Sequence, residues 1–281
     1  MTKRLFTFGC SFTSYGWTTW PEILAEDMDV PFYNYGAIGA GNQFMANMLM
    51  QADSYFDINK DDIVVICWTN VCREDRYING KWNTPGNIFS QSVYEESWVK
   101  EFCDPVGMAL RDYATIKSVD TFLQHKGCKY EFLSMLDLTT VFDQFNWNIL
   151  NSIFNNQQDK EIAEIKKMFK PSLDKIKPSF YEVLWNNKID DKFKSVTSQF
   201  NNFSDCHPTP IEHLTYLQKV LDIEFKQSTI DKVNNSQKLW YDILKEWDLD
   251  PNRTPAYPHK RLYMETAIRS SMETKGLTKN Y

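Results

Sequence analysis

The sequence lacks any apolar run that approaches the roughly 20 residues needed to cross a bilayer. It also lacks a hydrophobic segment of the length found in secretory signals, since the apolar stretch at Leu5–Gly9 is too short. We therefore expect a protein that acts in a cytoplasm and has no membrane partner.

Basic residues are in deficit. Lysine and arginine number 31, against 37 aspartates and glutamates, which gives a net charge of −6. Proteins that bind nucleic-acid backbones non-specifically usually carry the opposite balance, so we expect no nucleic-acid partner.

The six cysteines form no C-x-x-C pair, which argues against a structural zinc site. A chain of 281 residues does not need a disulfide framework, and we expect reduced thiols, no metal and no cofactor.

What the sequence does contain is an alternation of strand and helix signals. The run Ile63–Trp68 is continuously apolar, which is typical of a strand buried on both faces of a parallel sheet. Shorter β-type runs and amphipathic segments alternate around it, and Asn42 is predicted to cap the second helix. The predicted strands are residues 4–8, 32–35, 63–68 and 129–136, and the predicted helices include 20–28, 107–124 and one that follows Asn42. This alternation predicts a three-layer α/β/α sandwich on a central parallel sheet.

Two insertions are expected in this domain, which we assign to residues 1–225. Residues 73–105 lack a clear period and are interpreted as a lid. Residues 137–202 are polar, with helical pieces predicted at 141–154 and 160–169 and ended by prolines. Residues 226–281 are predicted to be a helical extension packed on the same domain.

The late part of the chain has its own helix signals. Thr209 and Glu212 have the spacing of a capping box, with Pro210 at the first helical position. Further on, an apolar face is predicted to contain Leu239, Trp240, Ile243, Leu244 and Trp247.

Four separated segments carry the residues for chemistry. Ser11 lies in the turn Gly9-Cys10-Ser11 after the first strand, Gly39 in a glycine-rich turn after the second, and Asn70 after the third. Asp205-Cys206-His207 precedes the late helix. Side chains at the carboxyl ends of parallel strands project into the crevice where such sheets bind ligands.

The ordered set resembles the four sequence blocks of SGNH/GDSL-type hydrolases, and residues 34–39 resemble the second block closely. The rest of the chain is similar in style to uncharacterised members of that group, some of them encoded by tailed phages, which would place the protein in a host cytoplasm. The resemblance implies a flavodoxin-like SGNH hydrolase fold. It also implies that Ser11 is the nucleophile, His207 its base and Asp205 the residue that orients the imidazole. The N–H groups of Ser11 and Gly39 and the side chain of Asn70 would hold the oxyanion, as substrate-binding groups.

Two departures from the family pattern affect these roles. The family commonly has three positions from the Asp to the His, whereas here there are two, so a backbone carbonyl is an alternative orienter. The third block reads Trp68-Thr69-Asn70-Val71 and lacks the family's Gly and Asp, which leaves the pose of Asn70 open.

Other residues have a structural and a functional interpretation. We interpret His213 as packed and hydrogen-bonded in preference to a ligand, and Cys10 as pointing into the core. His125 and His259 are taken as structural or exposed. The charged run Arg73-Glu74-Asp75-Arg76 is interpreted as a solvated loop, with binding of a charged substrate as the alternative.

The resemblance implies ester hydrolysis through an acyl-enzyme. The expected substrate is a small acyl ester, such as an O-acetyl group on a carbohydrate or a similar polar molecule. An acyltransferase on the same fold and a catalytically inactive binding protein are the alternatives. The sequence leaves the oligomeric state open.

Overall fold

A parallel sheet flanked by helices forms the centre of the computed structural model, which describes residues 3–89, 94–136, 138, 156–188 and 199–266. Within these ranges the chain forms, in order, β1 (Leu5–Gly9), α1 (Trp20–Met28), β2 (Phe32–Gly36), α2 (Asn42–Phe56), β3 (Ile63–Trp68), β4 (Arg76–Ile78), β5 (Lys81–Asn83), α3 (Glu96–Phe102), α4 (Pro105–Lys126), β6 (Lys129–Ser134), α5 (Asn156–Leu173), α6 (Phe180–Trp185), α7 (Pro210–Leu221), α8 (Gln227–Leu249) and α9 (Tyr257–Thr266). The strands of the central sheet run in the order β2-β1-β3-β6, and all of them are parallel. The predicted α/β class with a central parallel sheet is confirmed.

The strand order places a topological switch point at the centre of the sheet. The connection through α1 runs from β1 to β2 in one direction, while those through α2 and α4 run in the opposite direction. Because such crossovers are almost always right-handed, α1 covers one face and α2 and α4 cover the other. The crevice of this kind of sheet opens at the carboxyl ends of the strands where the direction reverses, here β1 and β3.

The central strands are apolar because both of their faces are covered. Every residue of β1 and β3 is buried, as the continuous run at Ile63–Trp68 predicted. The predicted helix at residues 20–28 has the bounds of α1, and the helix predicted at 107–124 lies within the longer α4. Gly127 ends α4 with a φ of 68°, a left-handed conformation that favours glycine.

The N-terminus of α2 is capped differently from the prediction. Gly41, not Asn42, is the N-cap, and the side chain of Asn42 bonds elsewhere. The Asp75 carboxylate takes the capping role across 34 residues of sequence, accepting hydrogen bonds from the N–H groups of Gly41 (2.8 Å) and Phe44 (2.9 Å). This is a tertiary cap, which no local spacing encodes.

Of the two predicted insertions, the first contains the hairpin β4–β5 and the helix α3. In the second, the helix predicted at 160–169 lies within α5, whereas that predicted at 141–154 lies outside the described residues. Pro171 lies inside the last turn of α5 and does not end it, which corrects the prediction.

The end of the described chain packs near the turn that follows β1. α8 packs against α1 and α7, and α9 packs against α8. A second apolar cluster joins them to that turn; its buried members are Trp17, Phe200, Phe203, Trp240, Ile243, Leu244, Trp247 and Leu262. Leu239, predicted to lie on the same face, is exposed instead. Within the described ranges, no helix has the length and apolar character needed to cross a membrane.

Candidate active site

Ser11 lies in a tight turn directly after β1. The N–H groups of Thr13 and Ser14 both donate to the carbonyl of Cys10, at 2.9 and 3.2 Å, which folds the chain back on itself. Gly9 is required at the start of this turn, because a Cβ there would overlap the side chain of Thr13. The Cys10 side chain is fully buried in the core, as predicted, and Ser11 is 6% exposed at the carboxyl edge of the sheet.

The three residues predicted to be catalytic form one continuous hydrogen-bonded chain. Ser11 Oγ lies 2.8 Å from Nε2 of His207, although the residues are 196 positions apart in sequence. His207 Nδ1 lies 2.6 Å from Oδ1 of Asp205, and the backbone N–H of His207 donates to the same oxygen at 2.7 Å. The two-residue spacing therefore lets one carboxylate oxygen hold both the ring and the backbone of His207.

The charge of Asp205 fixes the proton arrangement of this chain. Burial opposes the ionised form of Asp205, but the hydrogen bonds and the charge of His207 outweigh it, so the pKa of Asp205 lies below its usual value. An ionised carboxylate can only accept hydrogen bonds, so Nδ1 of His207 carries the proton between them. In the neutral imidazole Nε2 is then unprotonated and accepts from the Ser11 hydroxyl, as a general base requires.

Tyr15 also contacts the hydrogen-bonded series of Ser11, His207 and Asp205, which the sequence did not reveal. Its phenol donates to Oδ2 of Asp205 at 2.8 Å, and its ring stacks on the imidazole of His207 with centroids 3.6 Å apart and an interplanar angle of 17°. Burial and the neighbouring Asp205 carboxylate raise the pKa of the Tyr15 phenol, so it stays a donor. Asp205 is thus bonded on both oxygens, and the imidazole has little freedom to turn.

Gly39 and Asn70 are not hydrogen-bonded to this chain, but they follow the two strands that flank β1. Gly39 has a φ of 75°, and a Cβ there would overlap the carbonyl of Thr84. Within the described residues, no hydrogen bond uses the N–H of Ser11, the N–H of Gly39 or the side-chain NH₂ of Asn70. The side-chain carbonyl of Asn70 accepts from the N–H of Cys72 at 3.0 Å, which leaves the NH₂ end as the available donor.

Asn42 fixes the backbone from which Asn70 projects. Its side-chain amide accepts from the N–H of Thr69 (3.0 Å) and donates to the carbonyl of the same residue (3.1 Å). The amide also donates to the buried Asp112 at 2.8 Å. Burial raises the pKa of Asp112 to about 6, against the opposing effects of Arg111 and Asn42.

The charged run from Arg73 to Arg76 is not simply a solvated loop. Asp75 caps α2, as described above, and Glu74 bridges Arg76 (2.9 Å) and Arg111 (2.7 Å). Arg73 is half-buried and turns back toward the carboxyl edge of the sheet, where its Nη1 donates to the carbonyl of Ala40 at 2.8 Å. The solvated-loop interpretation fails because this run ties the first insertion to α2 and α4.

The other three histidines are either packed against aromatic rings or exposed on a helix. His213 is fully buried, with its ring edge against Phe180, and His125 is exposed on α4. His259 of α9 stacks on Trp17 beside Tyr15, and burial lowers the pKa of His259. Through His259, α9 thus packs against Tyr15 and Trp17, which contact the ring of His207.

A metal is not required to explain this arrangement. Asp205, Cys206 and His207 offer ligand atoms within 4.8 Å of one another, the only such group of three or more among the residues that the structure describes. However, both ring nitrogens of His207 are engaged, one with Asp205 and one with Ser11. The donor set therefore fits a proton-transfer chain better than a cation site.

Comparisons with known proteins identify distant structural neighbours. A lipolytic protein of the G-D-S-L family from Desulfitobacterium hafniense DCB-2 is 14% identical, with a TM-score of 0.41 over 76% of this chain and 97% of that one. A member of the lipolytic G-D-S-L family from Veillonella parvula DSM 2008 is 13% identical, with a TM-score of 0.39 over 79% and 97%. LAE5, an alpha/beta hydrolase enzyme from the metagenome of Lake Arreo in Spain, is 10% identical, with a TM-score of 0.35 over 76% and 91%. No protein-family model matches the chain, and no curated protein does.

Replacing Tyr15 by phenylalanine tests its contribution as a positioning residue. The variant keeps the ring that stacks on His207 but removes the donor to Asp205, and one charge-assisted hydrogen bond is worth on the order of tenfold. For the ester hydrolysis proposed below, we expect kcat with 4-nitrophenyl acetate to fall about tenfold with KM unchanged. Tyr55→Phe, on the exposed side of α2, is the matched control. Wild-type kcat in Tyr15→Phe would show that the phenol does not support the carboxylate.

Proposed function

We propose that this protein is a serine ester hydrolase of the SGNH/GDSL type that acts through an acyl-enzyme on Ser11. The observation that carries the proposal is the unbroken chain from Ser11 Oγ through His207 to Asp205, with distances of 2.8 and 2.6 Å. A serine hydroxyl is a weak nucleophile unless a base takes its proton, and this geometry supplies that base.

In the proposed reaction His207 acts as the base twice, once to form the acyl-enzyme and once to hydrolyse it. His207 takes the proton of Ser11 as the oxygen attacks the ester carbonyl, and Asp205 stabilises the imidazolium that forms. The proton then passes to the leaving alcohol, and the acyl group remains on Ser11. Water, activated by the same imidazole, releases the acid and restores the serine.

The oxyanion of each tetrahedral intermediate needs preorganised donors. The N–H groups of Ser11 and Gly39 and the NH₂ group of Asn70 are proposed for this role, because they project from the ends of adjacent strands and are not otherwise bonded within the described residues. One such donor typically contributes about 3–4 kcal/mol to the transition state.

The proposed substrate is a small acyl ester, such as an O-acetyl group on a carbohydrate or a similar polar molecule. Ser11 is only 6% exposed, and Phe12 and Tyr15 pack around His207, which favours a small acyl group over a long chain.

A fluorophosphonate probe tests the nucleophile without knowledge of the substrate. We expect the intact mass of the wild-type protein to increase by one adduct, and that of Ser11→Ala to stay unchanged under the same conditions. Ser14→Ala, three residues along the same turn, controls for local disturbance and should still be labelled. An unlabelled wild-type protein, or an adduct on Ser11→Ala, would contradict the proposal and favour a binding protein that has kept the fold.

A further inference from the structure

The guanidinium group of Arg73 lies across the carboxyl edge of the sheet, beside the proposed active site. Nη1 donates to the carbonyl of Ala40, in the loop after β2, and Nη2 lies 3.5 Å from Sδ of Met135, directly after β6. These loops follow the two outer strands of the sheet. The guanidinium therefore lies above the ends of the two inner strands, where Ser11 and Asn70 begin their loops.

The contacts of Met135 connect Arg73 more closely with the site. Its sulfur is also approached by Cys10 Sγ (3.6 Å) and Thr69 Oγ1 (3.8 Å). Cys10 precedes Ser11, Thr69 precedes Asn70, and Ala40 follows Gly39. Arg73 therefore contacts the residue next to each proposed oxyanion donor, either directly or through Met135.

The ring of Tyr181 gives a second indication of where the charge of Arg73 lies. Tyr181 stacks on Phe12, next to Ser11, with centroids 6.0 Å apart. Burial raises the pKa of the Tyr181 phenol, and the positive charge of Arg73 acts against that rise. The charge of Arg73 therefore acts on the phenol of Tyr181, whose ring packs against the residue that follows the serine.

Arg73 has no carboxylate partner within ion-pair distance among the described residues. The Nε of Arg73 is buried and forms no hydrogen bond with the described residues. The partner of Nη2 is the thioether sulfur of Met135, which is only a weak acceptor. Burial raises the pKa of Asp75, the nearby acid, and Arg73 opposes this, but the oxygens of Asp75 accept from the N–H groups that begin α2. By contrast, Arg111 bonds to both Glu74 and Asp112.

A guanidinium at the edge of a reaction crevice, with no carboxylate at ion-pair distance among the described residues, is costly unless an anion binds to it. We propose that Arg73 binds a negatively charged group, a carboxylate or a phosphate, on the ester that this protein cleaves. This inference rests on the proposed esterase function and narrows its substrate class to anionic esters. Nη1 and Nη2 each carry a second N–H beyond the contacts with Ala40 and Met135, and these coplanar donors match the two oxygens of such a group.

Matched pairs of neutral and anionic esters test this inference. 4-Acetoxybenzoate and 4-acetoxybenzamide differ by a charge on the alcohol side, and mono-4-nitrophenyl succinate and 4-nitrophenyl butyrate by a charge on the acyl side. We expect wild-type protein to prefer the anionic member of at least one pair by about 10- to 100-fold in kcat/KM. In Arg73→Met that ratio should fall to about 1. Arg76→Met, which removes the same charge from the same insertion, should keep the wild-type ratio.

The ratio within a pair is the readout, so a general loss of activity in Arg73→Met does not obscure the result. A wild-type ratio near 1 for both pairs, or a preference that survives in Arg73→Met, would overturn the inference. The pair that shows the preference reports whether the charge lies on the acyl or the alcohol part.

A binding measurement separates this inference from the proposed function. Ser11→Ala protein is titrated calorimetrically with 4-acetoxybenzoate and 4-acetoxybenzamide at 0.15 M salt, with and without the Arg73→Met change. Tighter binding of the anion that requires Arg73, in a protein whose wild-type form hydrolyses no ester, would support the anion site and refute the esterase. Ester hydrolysis with no effect of charge in either assay would support the esterase and refute the anion site.

Discussion

Replacing His207 by alanine is expected to lower kcat for small acyl esters by about 10⁴-fold or more, with a much smaller change in KM. The imidazole is the one base within hydrogen-bond distance of Ser11 Oγ among the described residues, so without it the hydroxyl keeps its proton. Labelling by a fluorophosphonate should be lost in parallel. Steady-state kinetics with 4-nitrophenyl acetate and intact-mass analysis measure the two effects.

The activity of a double variant distinguishes residues that act together in catalysis from residues that only make a structural contact. Residues that act as one unit are strongly non-additive, so Ser11→Ala combined with His207→Ala should be no less active than either single variant. His125→Ala, exposed on α4, is the histidine control and should match the wild-type protein. A rate for His207→Ala within a few-fold of the wild-type value would refute the proposed mechanism.

The sheet was predictable because its signals are local. The run Ile63–Trp68 is apolar at every position, which is typical of a strand covered on both faces. The capping box of Thr209 and Glu212 likewise begins α7 as predicted, because both partners lie within one helical turn. The cap of α2 by Asp75 was missed for the opposite reason, since it joins groups 34 residues apart.

The candidate site shows the same difference between local sequence signals, which were predictable, and contacts that depend on the fold, which were not. Ser11 and His207 could be proposed from short patterns at strand and helix ends, and the structure places them in contact. Tyr15 was missed because its role depends on the fold of the turn after β1, which directs its phenol to Asp205. Arg73 was considered only as a member of a charged run. The sequence does not reveal that Glu74 pairs with Arg76 and Arg111, or that no carboxylate among the described residues pairs with Arg73.

Glu22 is a buried acid that the site does not use. It is 5% exposed on α1 and forms no ion pair with the described residues. Its Oε2 accepts from the N–H of Thr19 at 2.7 Å, the carboxylate half of a capping box. Burial raises the pKa of Glu22 to about 8, and the hydrogen bond from Thr19 only partly opposes this.

A raised carboxyl pKa gives a definite dependence of stability on pH. Between the ordinary value of 4.5 and about 8, the folded protein holds a proton on Glu22 that the unfolded chain releases. The folded state binds more protons in this window, so the contribution of Glu22 to the free energy of unfolding falls as pH rises from 4.5 to 8. Below pH 4.5 the carboxyl is neutral in both states and carries no such penalty.

Glu22→Gln should remove this penalty, because the amide stays neutral and its oxygen can still accept from Thr19. At about 1.4 kcal/mol per pH unit, the variant should be more stable than the wild-type protein by under about 1 kcal/mol at pH 5 and by roughly 5 kcal/mol at pH 9. Urea unfolding of both proteins at pH 5, 7 and 9 measures the difference. Glu26→Gln removes a charge from the same helix where the carboxylate is paired with Lys232, and should not show this growing advantage. An advantage of Glu22→Gln that is constant with pH would mean that Glu22 is ionised in the folded protein throughout this range.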